Sequence, residues 1–197
     1  MTRALFAATA WLPQGWGENV RIELDAQGVI ASVQTQADAA GAERLDGPVI
    51  PGMPNVHSHA FQRAMAGLTE TSGPQSDNFW SWRDCMYRFL QRLTPDDIEV
   101  IATQLYVEML QAGYTSVGEF HYLHHDIDGA PYADPAEMSR RIVQAAATSG
   151  IGLTLLPVLY RHGGFGGEPP AEGQRRFICD PERYARIAET FAGAASC

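Results

Sequence analysis

Two histidines set two residues apart, His57 and His59, carry the strongest chemical signal in the sequence; they lie in the stretch VIPGMPNVHSHAFQRAMAGL, residues 49–68. In an extended strand successive side chains alternate, so residues two apart project from one face. Two neutral imidazoles on one face can share a metal ion, and nitrogen ligands suit zinc without excluding iron or manganese. By itself an HxH pair is weak, because histidines this close are often incidental. Its place at the end of a predicted strand, after Pro51-Gly52, is what raises it. Parallel folds keep their active sites at the carboxyl ends of strands.

Other candidates carry less. His121, His124 and His125 follow the next predicted strand, but Asp126, Asp128 and Gly129 mark a turn there, so a second metal site is the minor reading. Glu119 near the same strand end faces a pocket or pairs with an arginine. Arg161 and His162 close the third predicted strand and stand near the same mouth. The glycines of HGGFGGEPP open no helix and form no GxGxxG fingerprint, so that stretch reads as a flexible, lid-like loop. Cys85, Cys179 and Cys197 are odd in number and irregular in spacing, which fits reduced thiols better than disulfides or a thiolate site. All fourteen basic residues are arginine, which excludes a Schiff-base lysine, a P-loop lysine and a carboxylated lysine within these 197 residues.

The elements that must position these groups fall into two patterns. Residues 4–11, 19–24 and 29–34 are apolar or alternating runs separated by PQGWGEN and DAQG, the mark of a small antiparallel meander. A strand is expected at 48–56. From there strands alternate with helices. Thr94-Pro95-Asp96-Asp97 is a helix start, with a capping hydroxyl, proline at the first position and acids near the positive end of the dipole. Gly113 stops that helix, and 114–120 reads as a strand. Asp134-Pro135-Ala136-Glu137 starts another helix, running to Gly150, followed by a strongly apolar strand at 151–160. A Gly/Pro-rich loop, 161–176, leads to Asp180-Pro181-Glu182 and a last helix. A further helical stretch, 78–93, is inserted after the histidine pair.

Alternating units of this kind imply a parallel sheet. A complete eight-unit barrel takes ~250 residues, so three units make either an open sheet or an incomplete barrel. The reading divides the chain into strands of a small β-sandwich domain, residues 1–47, and the first part of an α/β barrel, residues 48–197.

Composition narrows the partners. The chain is 45% hydrophobic and 19% charged, with a formal net charge of −9, which argues against nucleic acid. No apolar run approaches the ~20 residues needed to span a bilayer. The short apolar N-terminus is followed at once by Trp11, Pro13 and Gln14, so a cytoplasmic protein is expected.

The segment PGMPNVHSH resembles the first-strand metal motif of the amidohydrolase superfamily, with Asn55 where an acid is usual, as in the branch that deaminates heterocycles and amidines. Together with NVHSHAFQRAMAGLTE, FWSWRDCMYRF, GYTSVGEFHYLHH and LLPVLYRHGGFGGEPPAEGQRRF, the chain is similar to the formimidoylglutamate deiminase family from Leu5 to the helix after Asp180. That resemblance implies a partial TIM-type (β/α)8 barrel and one zinc ion per complete site, with His57 and His59 as two of its four ligands. It implies a small anionic amidine, N-formimino-L-glutamate, hydrolysed to N-formyl-L-glutamate and ammonia in histidine degradation, and Gln62, Arg83 and Tyr122 as substrate contacts. A guanidinium grips carboxylate bidentately, which makes Arg83 physically apt.

Each of these contacts has a plainer reading: an ordinary polar residue, a helix-surface arginine, a packed tyrosine. The remaining ligands and the general acid and base are expected on strands beyond residue 197. The chain is therefore expected to be a fragment inactive alone, opening an enzyme that is a homodimer when complete. Two alternatives stand beside this: a guanine-type deaminase, and a non-enzymatic domain keeping a vestigial metal motif.

Overall fold

The computed structural model describes residues 3–70 and 78–192; Cys197 and the rest of the chain ending lie outside the described residues. Contacts group the chain into two compact units, Met1–Gly52 and Met53–Cys197.

The first unit is a four-stranded sheet of β1 (Arg3–Leu12), β2 (Gly15–Leu24), β3 (Ile30–Gln34) and β4 (Glu43–Leu45), in the order β3-β2-β1-β4. β1 and β2 form an antiparallel hairpin with Leu12 opposite Gly15, so the turn is only Pro13-Gln14. The expected longer turn is shorter because Gly17 is a strand residue: a Cβ there would stand 2.9 Å from Leu12 Cδ1. Glycine in a strand often marks such a close approach. β4, too short to show alternation in sequence, pairs parallel with β1. Ala7, Ala10 and Val20 are buried, with Leu12, Ile22 and Val49 against them.

The strand expected at 48–56 is two pieces. Val49 pairs with β1, its N–H donating to Thr9 O at 3.0 Å and its carbonyl accepting from Trp11 N at 2.8 Å. Pro51 lacks an N–H and cannot continue a ladder. β5 (Met53–Ser58) then belongs to the second unit.

That unit is a parallel sheet in the order β5-β6-β7, with β6 at Tyr114–His121 and β7 at Gly152–Pro157. Helices α1 (Phe79–Leu90) and α2 (Pro95–Gln111) follow β5, α3 (Glu137–Ser149) follows β6, and α4 (Pro181–Phe191) follows β7. These are three strand–helix units of an α/β barrel wall, with α1 inserted in the first.

Local chemistry starts each helix. Asn78 Oδ1 accepts from Trp80 N and Ser81 N, while Ser81 Oγ accepts from Asn78 N. Thr94 and Asp97 exchange the same reciprocal bonds ahead of α2. Such caps contribute about 1 kcal/mol each. α2 buries Ile98, Ala102, Tyr106 and Met109, one face at helical spacing. At α3 the expected cap is displaced: Asp134 Oδ1 accepts from Ala136 N in a turn, its other oxygen holds Arg140, and the helix begins at Glu137. β7 is shorter than the expected 151–160: it ends at Pro157, paired with His121, and Val158 N makes the last bond to β6, donating to His121 O at 3.0 Å.

Candidate active site

His57 and His59 occupy the carboxyl end of β5, with their Nε2 atoms 3.0 Å apart. His59 Nδ1 lies 2.8 Å from the carbonyl oxygen of Phe120, on neighbouring β6. A carbonyl only accepts, so Nδ1 carries the ring proton and Nε2 presents its lone pair. Two nitrogens bound to one tetrahedral zinc at ~2.05 Å stand about 3.3 Å apart, so the pair is spaced to bind a single cation. Burial pushes His59 below the usual imidazole range; the Phe120 carbonyl opposes this and His57 adds to it. Among the described residues no third His, Cys, Asp or Glu joins the pair.

The backbone carrying the pair is held from behind. Asn55 Oδ1 accepts from His57 N at 3.2 Å. Glu119, fully buried and opposite Ser58 in register, accepts from Ala60 N at 2.6 Å and from the Tyr106 hydroxyl at 3.2 Å. Among the described residues it pairs with no arginine, and it is not one of those lining the cavity beside His59. Burial raises its carboxyl pKa, against the pull of these donors.

A cavity of about 390 Å³ opens beside His59, and Gln62, Arg83 and Tyr122 line it together. Gln62 comes from the 3-10 helix Ala60–Met65, Arg83 from α1 and Tyr122 from just beyond β6. Gln62 Nε2 donates to the Tyr122 hydroxyl at 3.1 Å. Burial pushes Tyr122 up to about 12, so it stays a protonated donor at neutral pH. The Arg83 guanidinium lies 4.4 Å from the centre of the Trp80 ring and 5.6 Å from that of Tyr87. Its Nε is buried without a hydrogen-bond partner, and among the described residues no carboxylate pairs with it. Among the described residues lining the cavity none is acidic, and those residues are largely aromatic, with Arg83 as their cation.

Tyr87, Tyr160, Gln174 and Phe177 also line the cavity, and sequence reasoning singled out none of them. Three of the four lie beyond the end of β7: Tyr160 closes the expected strand 151–160, Gln174 is in the expected loop 161–176 and Phe177 follows it. Arg161 and His162, expected near this mouth, are exposed and are not among the described residues that line the cavity, although Tyr160 and Gly163 on either side of them are. The loop expected to be lid-like folds back on itself: Gly163 N donates to Glu168 O at 2.8 Å, and Gln174, Arg176 and Phe177 are buried.

The cluster His121, His124 and His125 does not form a second metal site among the described residues. His124 Nε2 donates to Val158 O at 2.9 Å and His125 Nε2 to Ile178 O at 2.6 Å, which commits those two nitrogens to backbone carbonyls. Arg183 donates to His125 Nδ1 at 2.9 Å. His121 is buried, and among the described residues its Nε2 has no partner. Buried Arg176 fastens this region, its Nε donating to His125 O at 2.9 Å and its Nη1 to Leu90 O.

Residues 49–190 match the family described as Amidohydrolase family, and residues 2–47 match the one described as Formimidoylglutamate deiminase HutF, N-terminal domain. The chain is 63% identical over 186 residues to the formimidoylglutamate deiminase of Pseudomonas aeruginosa, covering 94% of this chain and 41% of that protein. The crystal structure of an amidohydrolase from Brucella melitensis superposes with a TM-score of 0.89 at 54% identity, over 98% of this chain and 44% of that one. An atrazine chlorohydrolase from Arthrobacter aurescens, solved with zinc, shares the fold at 18% identity with a TM-score of 0.68, over 95% of this chain and 42% of that one. The chain thus spans less than half the length of each of these relatives.

Proposed function

The chain belongs to the amidohydrolase family, and from that premise we propose that it supplies the metal-binding strand end and the anion-binding wall of a hydrolytic deiminase acting on N-formimino-L-glutamate. The carrying observation is Arg83, a cation without a carboxylate partner among the described residues, in a cavity that also reaches His59. The 63% identity to a deiminase of that name supports the substrate.

His57 and His59 fit a zinc ion through their two Nε2 atoms. When bound, zinc supplies hydroxide at neutral pH by lowering the pKa of water to ~7. Two ligands are fewer than the three protein ligands of a catalytic zinc site, so this reading takes the rest from outside the described residues. Arg83 grips a substrate carboxylate through its planar fork. Tyr122, oriented by Gln62, donates to the same anion. Trp82, Tyr87 and Phe177 exclude water around it, which strengthens each charged contact. With the anion held there, the formimino group extends toward His59. The water oxygen bonds to the formimino carbon, and the bond from that carbon to the terminal nitrogen breaks. That nitrogen takes up the water's protons and leaves as ammonia, and the carbon remains as formyl. The protonating acid is placed outside the described residues.

The same reading makes the reaction a step of histidine degradation in the cytoplasm, carried out by a homodimer. The test uses the completed enzyme, meaning this chain continued to the length of its relatives. N-formimino-L-glutamate and guanine are offered separately and ammonia is measured. Preference for the formimino acid supports the proposal, and preference for guanine overturns it.

A further inference from the structure

Gln174 is buried in the loop beyond β7, and its side-chain amide can be oriented from its partners. Its Oε1 lies 2.8 Å from Ala171 N, and a backbone N–H can only donate, so that atom is the amide oxygen. The nitrogen end therefore faces the Tyr160 hydroxyl at 2.8 Å and Gly163 O at 3.2 Å. Both contacts use the amide's two hydrogens, and the Tyr87 hydroxyl also neighbours the amide. Tyr160 oxygen thus accepts from Gln174, and its own single proton must point elsewhere. Among the described residues no acceptor receives it. The tyrosine is fixed from a second side, its carbonyl accepting from Cys179 N at 2.8 Å. Its ring packs 5.5 Å from Phe177 and 6.5 Å from Tyr122. Tyr160, Gln174 and Arg83 all line the one cavity.

We propose that Tyr160 is a further substrate-binding residue, its phenol donating to a carboxylate of the substrate, and that Gln174 is the positioning residue that turns the phenol proton into the cavity. The inference rests on the anionic-substrate reading above and deepens it. The chain of donors runs in one direction: Ala171 N–H to Gln174 oxygen, Gln174 N–H to Tyr160 oxygen, Tyr160 O–H to the ligand. Arg83 supplies charge, whereas Tyr160 supplies one directed hydrogen bond. A site built to donate rejects an analogue that cannot accept as well, because its polar groups are then left unpaired. Tyr160 thereby favours a carboxylate over the corresponding carboxamide.

The test measures kcat/KM of the completed enzyme for N-formimino-L-glutamate and for its two mono-carboxamides. Tyr160→Phe is expected to lower the value for the diacid by about 10- to 100-fold, as for loss of one charge-assisted hydrogen bond. One of the two carboxamides should be spared, because it already lacks the carboxylate that Tyr160 binds. Gln174→Glu offers the phenol an acceptor, turns its proton back from the cavity, and should shrink the diacid preference in the same way. Thermal midpoints of both variants separate this from a folding defect. Undiminished diacid preference in Tyr160→Phe, or an equal loss on all three compounds, overturns the inference alone. No preference between diacid and carboxamides in the unsubstituted enzyme overturns the substrate reading, and this inference with it.

Discussion

The Arg83 guanidinium carbon stands 4.4 Å from the centre of the Trp80 ring, one helical turn back on α1, and no carboxylate among the described residues pairs with it. Stacking on an aromatic face keeps a cation in place without neutralising it. Such an arrangement suits a group that waits for an anion. Arg83→Ala should lower kcat/KM of the completed enzyme for the formimino diacid by about 100-fold, the size of a lost charge-assisted bond. Arg83→Lys keeps the charge but loses the fork, and should fall between. Stability should change by less than about 1 kcal/mol in both, read from denaturant midpoints. Equal kcat/KM in all three proteins would remove the anion clamp from the account.

The histidine pair should answer to metal rather than to substrate. Replacing His57 or His59 by Ala is expected to weaken zinc binding at least about 100-fold, more than loss of an outer-shell partner typically does. Competition against a chromophoric chelator measures it. Unaltered affinity in either variant would mean that the two Nε2 atoms 3.0 Å apart do not share an ion.

How much of this could be read in the sequence depended on how local the determinants are. The Thr94-Pro95 start and the Asp180-Pro181 start each depend on a few adjacent residues, and both helices begin where those residues imply, whereas the strand carrying the HxH pair runs 53–58 instead of 48–56. Tyr160 and Gln174 are fourteen residues apart and meet only because the loop between them doubles back through Gly163 and Glu168. Nothing in their spacing signals that closure. Glu119 was legible as a carboxylate near a strand end, but its partners Ala60 and Tyr106 come from two other segments. The displaced start of α3 had the same cause as its misreading: Asp134 serves a turn as readily as a helix cap.

His121 and His124 tie stability to pH. Burial, the leading cause for both, lowers His121 to about 3 and His124 to about 4, against about 6.5 in the unfolded chain. Between those values the unfolded state binds protons that the folded state refuses, so stability is full above pH 6.5 and falls as pH drops toward 4. The slope is up to about 1.4 kcal/mol per pH unit for each group. Urea denaturation across pH 4 to 7 should show it, and His121→Leu should flatten the slope by about one proton. A slope unchanged by that substitution would count against the burial assignment.

Arg176 holds the carbonyls of His125 and Leu90 together inside the unit. Arg176→Met keeps the apolar stem but leaves both oxygens without that donor. A loss of about 2–4 kcal/mol is expected in denaturant unfolding. A loss below about 0.5 kcal/mol would show that these bonds contribute little.

Product analysis tests the central claim most directly. Zinc-loaded completed enzyme would be given N-formimino-L-glutamate, with ammonia and the formyl proton followed together by NMR. The account predicts one ammonia and one N-formyl-L-glutamate per substrate consumed, and no turnover once the metal is chelated. Consumption without ammonia, turnover that persists in chelator, or no turnover by a zinc-loaded, folded enzyme would contradict it.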